Sequence, residues 1–107
     1  MSMKVIKKIL PSGLTVVLVP MKESVSLTVD VSVRAGSYYE NEKINGISHF
    51  LEHMCFKGTI KRPGSGQIAR ELDEIGAHGN ASTGNETTSF FVKARPKHTA
   101  HILDLVA

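Results

Sequence analysis

The sequence predicts an α+β fold in which a mostly antiparallel sheet carries its helices on one face. Residues 26–33 alternate strictly between apolar and polar side chains, the pattern of a strand with one buried face. Apolar residues recur every three or four positions in residues 47–55 and 68–75, as in amphipathic helices. A proline and glycine turn at residues 11–13 separates two apolar runs, so antiparallel pairing is expected there.

Size and composition limit the possible function classes. A chain of 107 residues forms one small domain at most, and 41% hydrophobic with 21% charged residues is ordinary for a globular protein. The net charge of +3 comes from scattered lysines and arginines without interleaved aromatic residues, so no nucleic-acid surface is expected. The single cysteine excludes an intrachain disulfide and favours a reducing compartment. With no signal peptide and no membrane-spanning run, we expect a cytoplasmic location and no membrane contact.

The N-terminal third is predicted to form three strands. Lys4–Leu10 and Leu14–Pro20 form a hairpin, and the second of these strands is so apolar and β-branched that a central position is expected. Ser26–Val33 places Leu27 and Val29 on a buried face with the next two valines. A polar loop over residues 34–43 follows.

The C-terminal half is predicted to contain two helices and two strands. Ser65 caps a helix that follows the linker at residues 61–66 and ends at Gly76. Strands are expected at about Ala77–Ser82 and Thr87–Ala94, the second apolar enough to lie inside the sheet. A last helix is expected to begin near Pro96. Proline lacks a backbone N–H, but the first turn of a helix does not need that group for an intrahelical hydrogen bond.

The segment from Asn45 to Thr59 is predicted to be a single helix closed by Gly58. One side of this helix is polar and the other forms an apolar stripe with the spacing of a core-facing surface. The polar side carries His49, Glu52 and His53, and the stripe consists of Ile47, Phe50, Leu51, Met54 and Cys55.

The polar side suggests a metal site. Histidines four residues apart project from one helix face, so the rings of His49 and His53 can converge on one cation. Zinc suits neutral imidazole, and it lowers the pKa of a bound water to about 7. Glu52, beside the pair, would then be the general base that accepts a proton from the attacking water. A pattern with three fixed positions also arises by chance, and helix histidines are more often ordinary surface or core residues.

The segment Gly46–Thr59 resembles the signature of the pitrilysin-type zinc peptidases, which include insulin-degrading enzyme and mitochondrial processing peptidase. The motif is His-x-x-Glu-His, the inverse of His-Glu-x-x-His. Further segments resemble the same family, namely Leu10–Leu14, Leu72–Ala77, Asn80–Thr83 and Glu86–Thr88.

This resemblance implies a zinc endopeptidase that hydrolyses peptide bonds of short or unfolded polypeptides. It implies that residues 1–107 are the N-terminal portion of one metallopeptidase domain of the LuxS and processing-peptidase type, truncated at the C-terminal end. By the same resemblance, Asn80 and Ala81 bind the peptide substrate as an added strand, and a second homologous domain or subunit closes the site. The third zinc ligand would be a glutamate beyond Ala107, since no carboxylate here stands at the matching place.

Two other functions remain open. A non-catalytic structural relative would keep the fold without the chemistry, although the intact His49, Glu52 and His53 argue against it. The chain could also be a metal-binding module. A polar edge strand without a ligand is the alternative for residues 78–82, and His78 is expected on the surface.

Overall fold

The computed structural model describes residues 2–107, which form two antiparallel sheets and three α-helices. Short 3₁₀ turns lie at Ser37–Tyr39 and Pro96–His98. No helix within the described range is long and apolar enough to cross a bilayer. In chain order the elements are β1 (Ile6–Ile9), β2 (Thr15–Leu18), β3 (Leu27–Val33), α1 (Ile47–Lys57), α2 (Gln67–Glu74), β4 (His78–Thr83), β5 (Thr88–Ala94) and α3 (Thr99–Val106).

The main sheet has the order β3-β5-β4, so β5 is central and β4 lies at an edge. Both pairings are antiparallel, and the register places Val29, Val92 and Gly79 in one row across the sheet. This row faces the helices, because Val92 belongs to the core and a Cβ on Gly79 would lie 3.0 Å from Leu72. The predicted α+β fold with helices on one face is therefore confirmed.

The core lies between the central strand and the last two helices. Leu72, Val92, Ala94 and Ile102 are buried, and half-buried apolar residues of β3, α2 and α3 pack around them. The alternation predicted for residues 26–33 is confirmed over Leu27–Val33 apart from its last valine, which is half exposed. These contacts hold the sheet against α2 and α3, and α1 lies over the edge strand β4.

The predicted central position of the second strand is wrong. Within residues 2–107, β2 pairs only with β1, in a two-stranded sheet separate from the main one. Val17 remains 56% exposed despite its apolar neighbours. An apolar, β-branched run indicates that a strand will form. It does not reveal whether the residues that would cover the strand lie within the same stretch of chain.

The predicted core-facing stripe of α1 is also wrong for residues 2–107, except at Cys55. Phe50 and Leu51 are 65% and 61% exposed, whereas Ser48, Glu52 and Cys55 are half-buried on the side that meets β4. The physical reason is the strand beneath the helix. The helix-facing side chains of β4 are small, so the compact residues of α1 pack there and its bulky residues point away.

The C-terminal ends of α1 and α2 agree with the predictions, whereas their starts and that of α3 differ. α1 begins at Ile47, two residues later than predicted, and α3 begins at Thr99, after the 3₁₀ turn at Pro96–His98. α1 ends at Lys57 before Gly58, and Gly76 has the left-handed φ of +63° expected of a helix stop. The predicted Ser65 cap of α2 is wrong, because Gly66 is the N-cap and no side chain caps it. Gly66 has a φ of +74°, which a residue with a side chain rarely adopts.

A cluster of charged side chains connects the α1–α2 loop to α2 and α3. Arg62 Nε donates to both carboxylate oxygens of Glu71 at 3.0 and 2.9 Å, and its Nη2 donates to Asp104 at 2.7 Å. Lys61 Nζ also donates to Asp104, at 2.9 Å, and His101 Nε2 lies 3.1 Å from Glu71. The Arg62 side chain is only 12% exposed. Because its hydrogen bonds join the α1–α2 loop to both α2 and α3, the cluster holds three segments together.

We expect Arg62→Met to lower the melting temperature by a few degrees at pH 6 and by less at pH 3. Hydrogen bonds from Arg62 and Lys61 lower the pKa of Asp104 from 3.8 to about 2, and bonds from His101 and Arg62 lower that of Glu71. A lowered folded-state pKa gives stability that is complete above the unfolded pKa and is lost as the pH falls towards the folded one. Circular dichroism melts at both pH values measure the difference.

The matched control is Arg70→Met, because Arg70 is exposed and makes one long contact, 3.4 Å to the Ser65 carbonyl. Equal losses in the two variants, or a loss for Arg62→Met that does not change with pH, would contradict a role for these ion pairs.

Candidate active site

The N-terminus of α1 is held by a carboxylate from the preceding loop. Glu40 accepts hydrogen bonds from the backbone N–H groups of Gly46 at 2.8 Å and Ser48 at 2.9 Å. The bonds from Ser48 and Gly46 lower the pKa of Glu40. Gly46 has a φ of +86°, and this left-handed residue turns the chain into the helix. The helix that carries the two histidines and Glu52 therefore begins at a defined point.

The two histidines of the motif lie side by side on α1. The Nε2 atoms of His49 and His53 are 2.9 Å apart, with ring centroids 4.6 Å apart, and both side chains are exposed. This is the convergence that the four-residue spacing predicts. At this distance the two rings can share a hydrogen bond or turn both lone pairs towards one cation.

The histidine pair fits a zinc ion. Zinc–nitrogen bonds are about 2.0–2.1 Å long, so two nitrogens 2.9 Å apart can both reach one ion. Neutral imidazole is a favoured ligand for zinc. Within residues 2–107 no group of three or more His, Cys, Asp and Glu side chains is placed to hold a metal ion. A catalytic zinc site usually has three protein ligands, and the histidine pair offers two candidates for them.

Glu52 lies beside the histidines but faces the sheet. Its side chain is half-buried, and its Oε2 accepts a hydrogen bond from the hydroxyl of Thr83 at the end of β4. No other residue of the described chain donates a hydrogen bond to this carboxylate. Glu52 thus lies between the exposed histidine pair and the edge strand.

Asn80 and Ala81 lie on β4, the strand that α1 covers. The register places Asn80 beside Phe91 on the face away from the helices and Ala81 beside Phe90 on the helix side. Asn80 Oδ1 accepts a hydrogen bond from the backbone N–H of Ala81 at 2.8 Å, in an exposed position. β4 is an edge strand of the main sheet, so one side of its backbone is open to an added strand.

The remaining histidines and the cysteine lie outside this arrangement. His78 is exposed on the far face of the sheet, with its ring 5.8 Å from that of Phe91. His101 contacts Glu71 in the charged cluster, and Cys55 is half-buried. The predicted surface position of His78 agrees with the structure.

Sequence reasoning missed two residues that hold the site. Glu40 was not recognised as a cap because it precedes the helix by seven residues, whereas capping patterns act within about one turn. The sequence points to Thr83 only as part of the segment Asn80–Thr83, which resembles the peptidase family. The alternation of β4 could have placed it on the helix side, but only the packing of α1 on β4 shows that it meets Glu52.

A family model described as insulinase, peptidase family M16, matches residues 15–107. The chain belongs to the insulinase family. The matched residues contain both α1 and β4, and with them every residue of the candidate site. The predicted resemblance to this peptidase family is thereby confirmed.

Individual proteins also resemble the chain. An uncharacterized zinc protease of Rickettsia felis is 44% identical over 98 residues, which is 92% of this chain and 24% of that protein. Cytochrome b-c1 complex subunit 1 of Mus musculus is 46% identical over 80 residues, which is 75% of this chain and 16% of that protein. A crystal structure of a protease from Helicobacter pylori superimposes with a TM-score of 0.89 at 34% identity, covering 97% of this chain and 25% of that one. The chain thus spans a quarter or less of these proteins.

Proposed function

We propose that this chain is the N-terminal part of the catalytic domain of a zinc-dependent endopeptidase that cleaves short or unfolded polypeptides. Membership of a peptidase family and the 44% identical zinc protease of Rickettsia felis support a protease parent. The single observation that carries the proposal is the 2.9 Å separation of the His49 and His53 Nε2 atoms. That distance and the exposure of both rings suit a shared, solvent-accessible metal ion.

In this proposal His49 and His53 hold the zinc and Glu52 is the general base. Zinc, when bound, supplies a Lewis acid that polarises the scissile carbonyl and makes water nucleophilic near neutral pH. Glu52 accepts the proton of the attacking water and passes it to the nitrogen of the leaving amine. Its carboxylate suits this role because Oε2 is held by Thr83 and Oε1 accepts no hydrogen bond within residues 2–107.

The peptide substrate is proposed to bind along β4 as an additional strand. β4 is an edge strand, and such strands offer unpaired backbone groups to an extended peptide. Asn80 and Ala81 lie two to three residues before Thr83, whose hydroxyl contacts Glu52, and this proximity supports a peptide path along β4 close to the proposed base. The Asn80 side chain must release the Ala81 N–H if a substrate carbonyl is to accept from it.

The complete site is proposed to need groups outside residues 1–107. A glutamate on a later helix would be the third zinc ligand, as the family resemblance implies. A second homologous domain or subunit would close over the substrate. Both proposals agree with a chain that spans 24% of the Rickettsia felis zinc protease.

A non-catalytic relative is the second candidate. The relative from Mus musculus, 46% identical, is named as a subunit of the cytochrome b-c1 complex, not as a protease. This alternative would leave His49, Glu52 and His53 without a chemical role. A metal-binding module would use the two histidines but not Glu52.

A chelation experiment on the full-length polypeptide tests the proposed function. We expect about one bound zinc per chain by elemental analysis, cleavage of an unfolded peptide that stops with 1,10-phenanthroline, and recovery when zinc is restored. The isomer 1,7-phenanthroline, which does not chelate, is the control. Cleavage that survives metal removal would refute a zinc mechanism, and bound zinc without any cleavage would favour a metal-binding module.

A further inference from the structure

Within residues 2–107, Thr83 is the one residue outside the motif that hydrogen-bonds to the side chain of His49, Glu52 or His53. Its hydroxyl donates to Glu52 Oε2, joining the last residue of β4 to the middle of α1. The two residues are 31 positions apart in the chain, so the contact depends on the packed fold. Thr83 is half-buried, which limits competition from water for its hydroxyl.

The strand end that carries Thr83 is held in place by several contacts. Thr83 lies opposite Thr88 in the register, and Thr88 is buried and donates to the carbonyl of Ala35 at 3.0 Å. Gly84 N–H donates to Thr87 at 2.8 Å to close the β4–β5 turn. A Cβ on Gly36 would come within 2.4 Å of the Gly84 carbonyl, so the preceding loop packs directly on this turn. The Thr83 hydroxyl is therefore a donor fixed by the sheet.

A glutamate side chain has three rotatable bonds, and a general base must keep its carboxylate within hydrogen-bond reach of the water that it deprotonates. Nothing on α1 itself holds the Glu52 carboxylate, because the only donor to it within residues 2–107 is Thr83. Ser48 lies one turn earlier on α1 and is half-buried, but its N–H donates a hydrogen bond to Glu40 and not to Glu52. The orientation of Glu52 thus depends on β4.

We propose that Thr83 is the positioning residue for Glu52, and that its hydroxyl holds one carboxylate oxygen so that the other faces the substrate water. This inference rests on the proposed function for its effect on catalysis. The contact also couples the base to the strand that is proposed to bind the peptide. Thr83 itself transfers no proton to the substrate.

The test compares Thr83→Val, Thr83→Ser and Thr83→Ala in the full-length enzyme. Valine keeps the shape and removes the hydroxyl, so kcat should fall about 10- to 100-fold through misplacement of Glu52. KM and zinc content should stay close to those of the wild type. Serine restores the donor and should recover most of kcat, whereas alanine should behave like valine. Thr87→Val, at an exposed threonine in the β4–β5 turn, is the matched control and should leave kcat unchanged.

A second measurement does not depend on activity. Crystal structures of the metal-free wild type and of Thr83→Val should show an ordered Glu52 carboxylate in the first and a displaced or disordered one in the second. An unchanged Glu52 in Thr83→Val, or unchanged kcat in an enzyme that Glu52→Gln inactivates, would overturn the inference while the proposed function stands. If the wild type cleaves no peptide, the proposed function fails, and the crystal comparison still decides whether Thr83 positions Glu52.

Discussion

Glu52→Gln in the full-length polypeptide is expected to lower kcat for peptide cleavage by about 10²- to 10⁴-fold, the usual loss when a general base is removed. Glutamine has nearly the same shape and still offers an oxygen to the Thr83 hydroxyl, so the packing of α1 on β4 should persist. What it lacks is a carboxylate that can accept the proton of the attacking water. Steady-state kinetics on an unfolded peptide, with zinc content measured on the same sample, tests this result.

Separate effects on kcat and KM distinguish a loss of chemistry from a loss of substrate binding. Because Glu52 is not proposed as a ligand or a substrate contact, KM and zinc content should change little, and the loss should fall on kcat. Glu74→Gln, at an exposed glutamate near the end of α2, is the matched control and should keep full activity. Unchanged cleavage in Glu52→Gln would remove the proposed mechanism. Loss of zinc would instead show that Glu52 contributes to metal binding.

Local patterns predicted most secondary-structure elements and the convergence of the two histidines. The strict alternation of residues 26–33 correctly predicted β3, and Gly58 correctly predicted the end of α1. Both features depend only on neighbours within a few positions. The four-residue spacing of His49 and His53 likewise needs only a helix to bring the rings together. Helix and strand periodicity is a local property, so these predictions did not require the tertiary fold.

Tertiary placement was less predictable. The apolar face of α1 was expected in the core, but the edge strand beneath it carries small residues, and Phe50 and Leu51 point away. Amphipathic spacing identifies a face that can be buried and does not identify what buries it. The contacts of Thr83 with Glu52 and of Glu40 with the start of α1 were also invisible, because each joins segments whose approach depends on loop and sheet packing.

Zinc affinity is where the ligand proposed to lie beyond residue 107 should have its largest measurable effect. The 107-residue chain offers two imidazoles, and no group of three or more potential ligands forms within the described residues. Loss of an outer contact to a metal ligand already costs about 10- to 100-fold in affinity, so loss of a direct carboxylate ligand should cost at least about 100-fold. We therefore expect the isolated chain to bind zinc at least about 100-fold more weakly than a polypeptide extended to the length of its relatives.

Competition with a chromophoric chelator measures both affinities, with His53→Ala and His78→Ala as a matched pair. His53→Ala should abolish the remaining zinc binding of the isolated chain, because a single imidazole cannot hold the ion. His78→Ala should change nothing, since its ring lies on the far face of the sheet beside Phe91. Equal affinities for the short and extended polypeptides would mean that no ligand is supplied from beyond residue 107. In that case a group within this chain must move to complete the site, and the proposed glutamate would have to be abandoned.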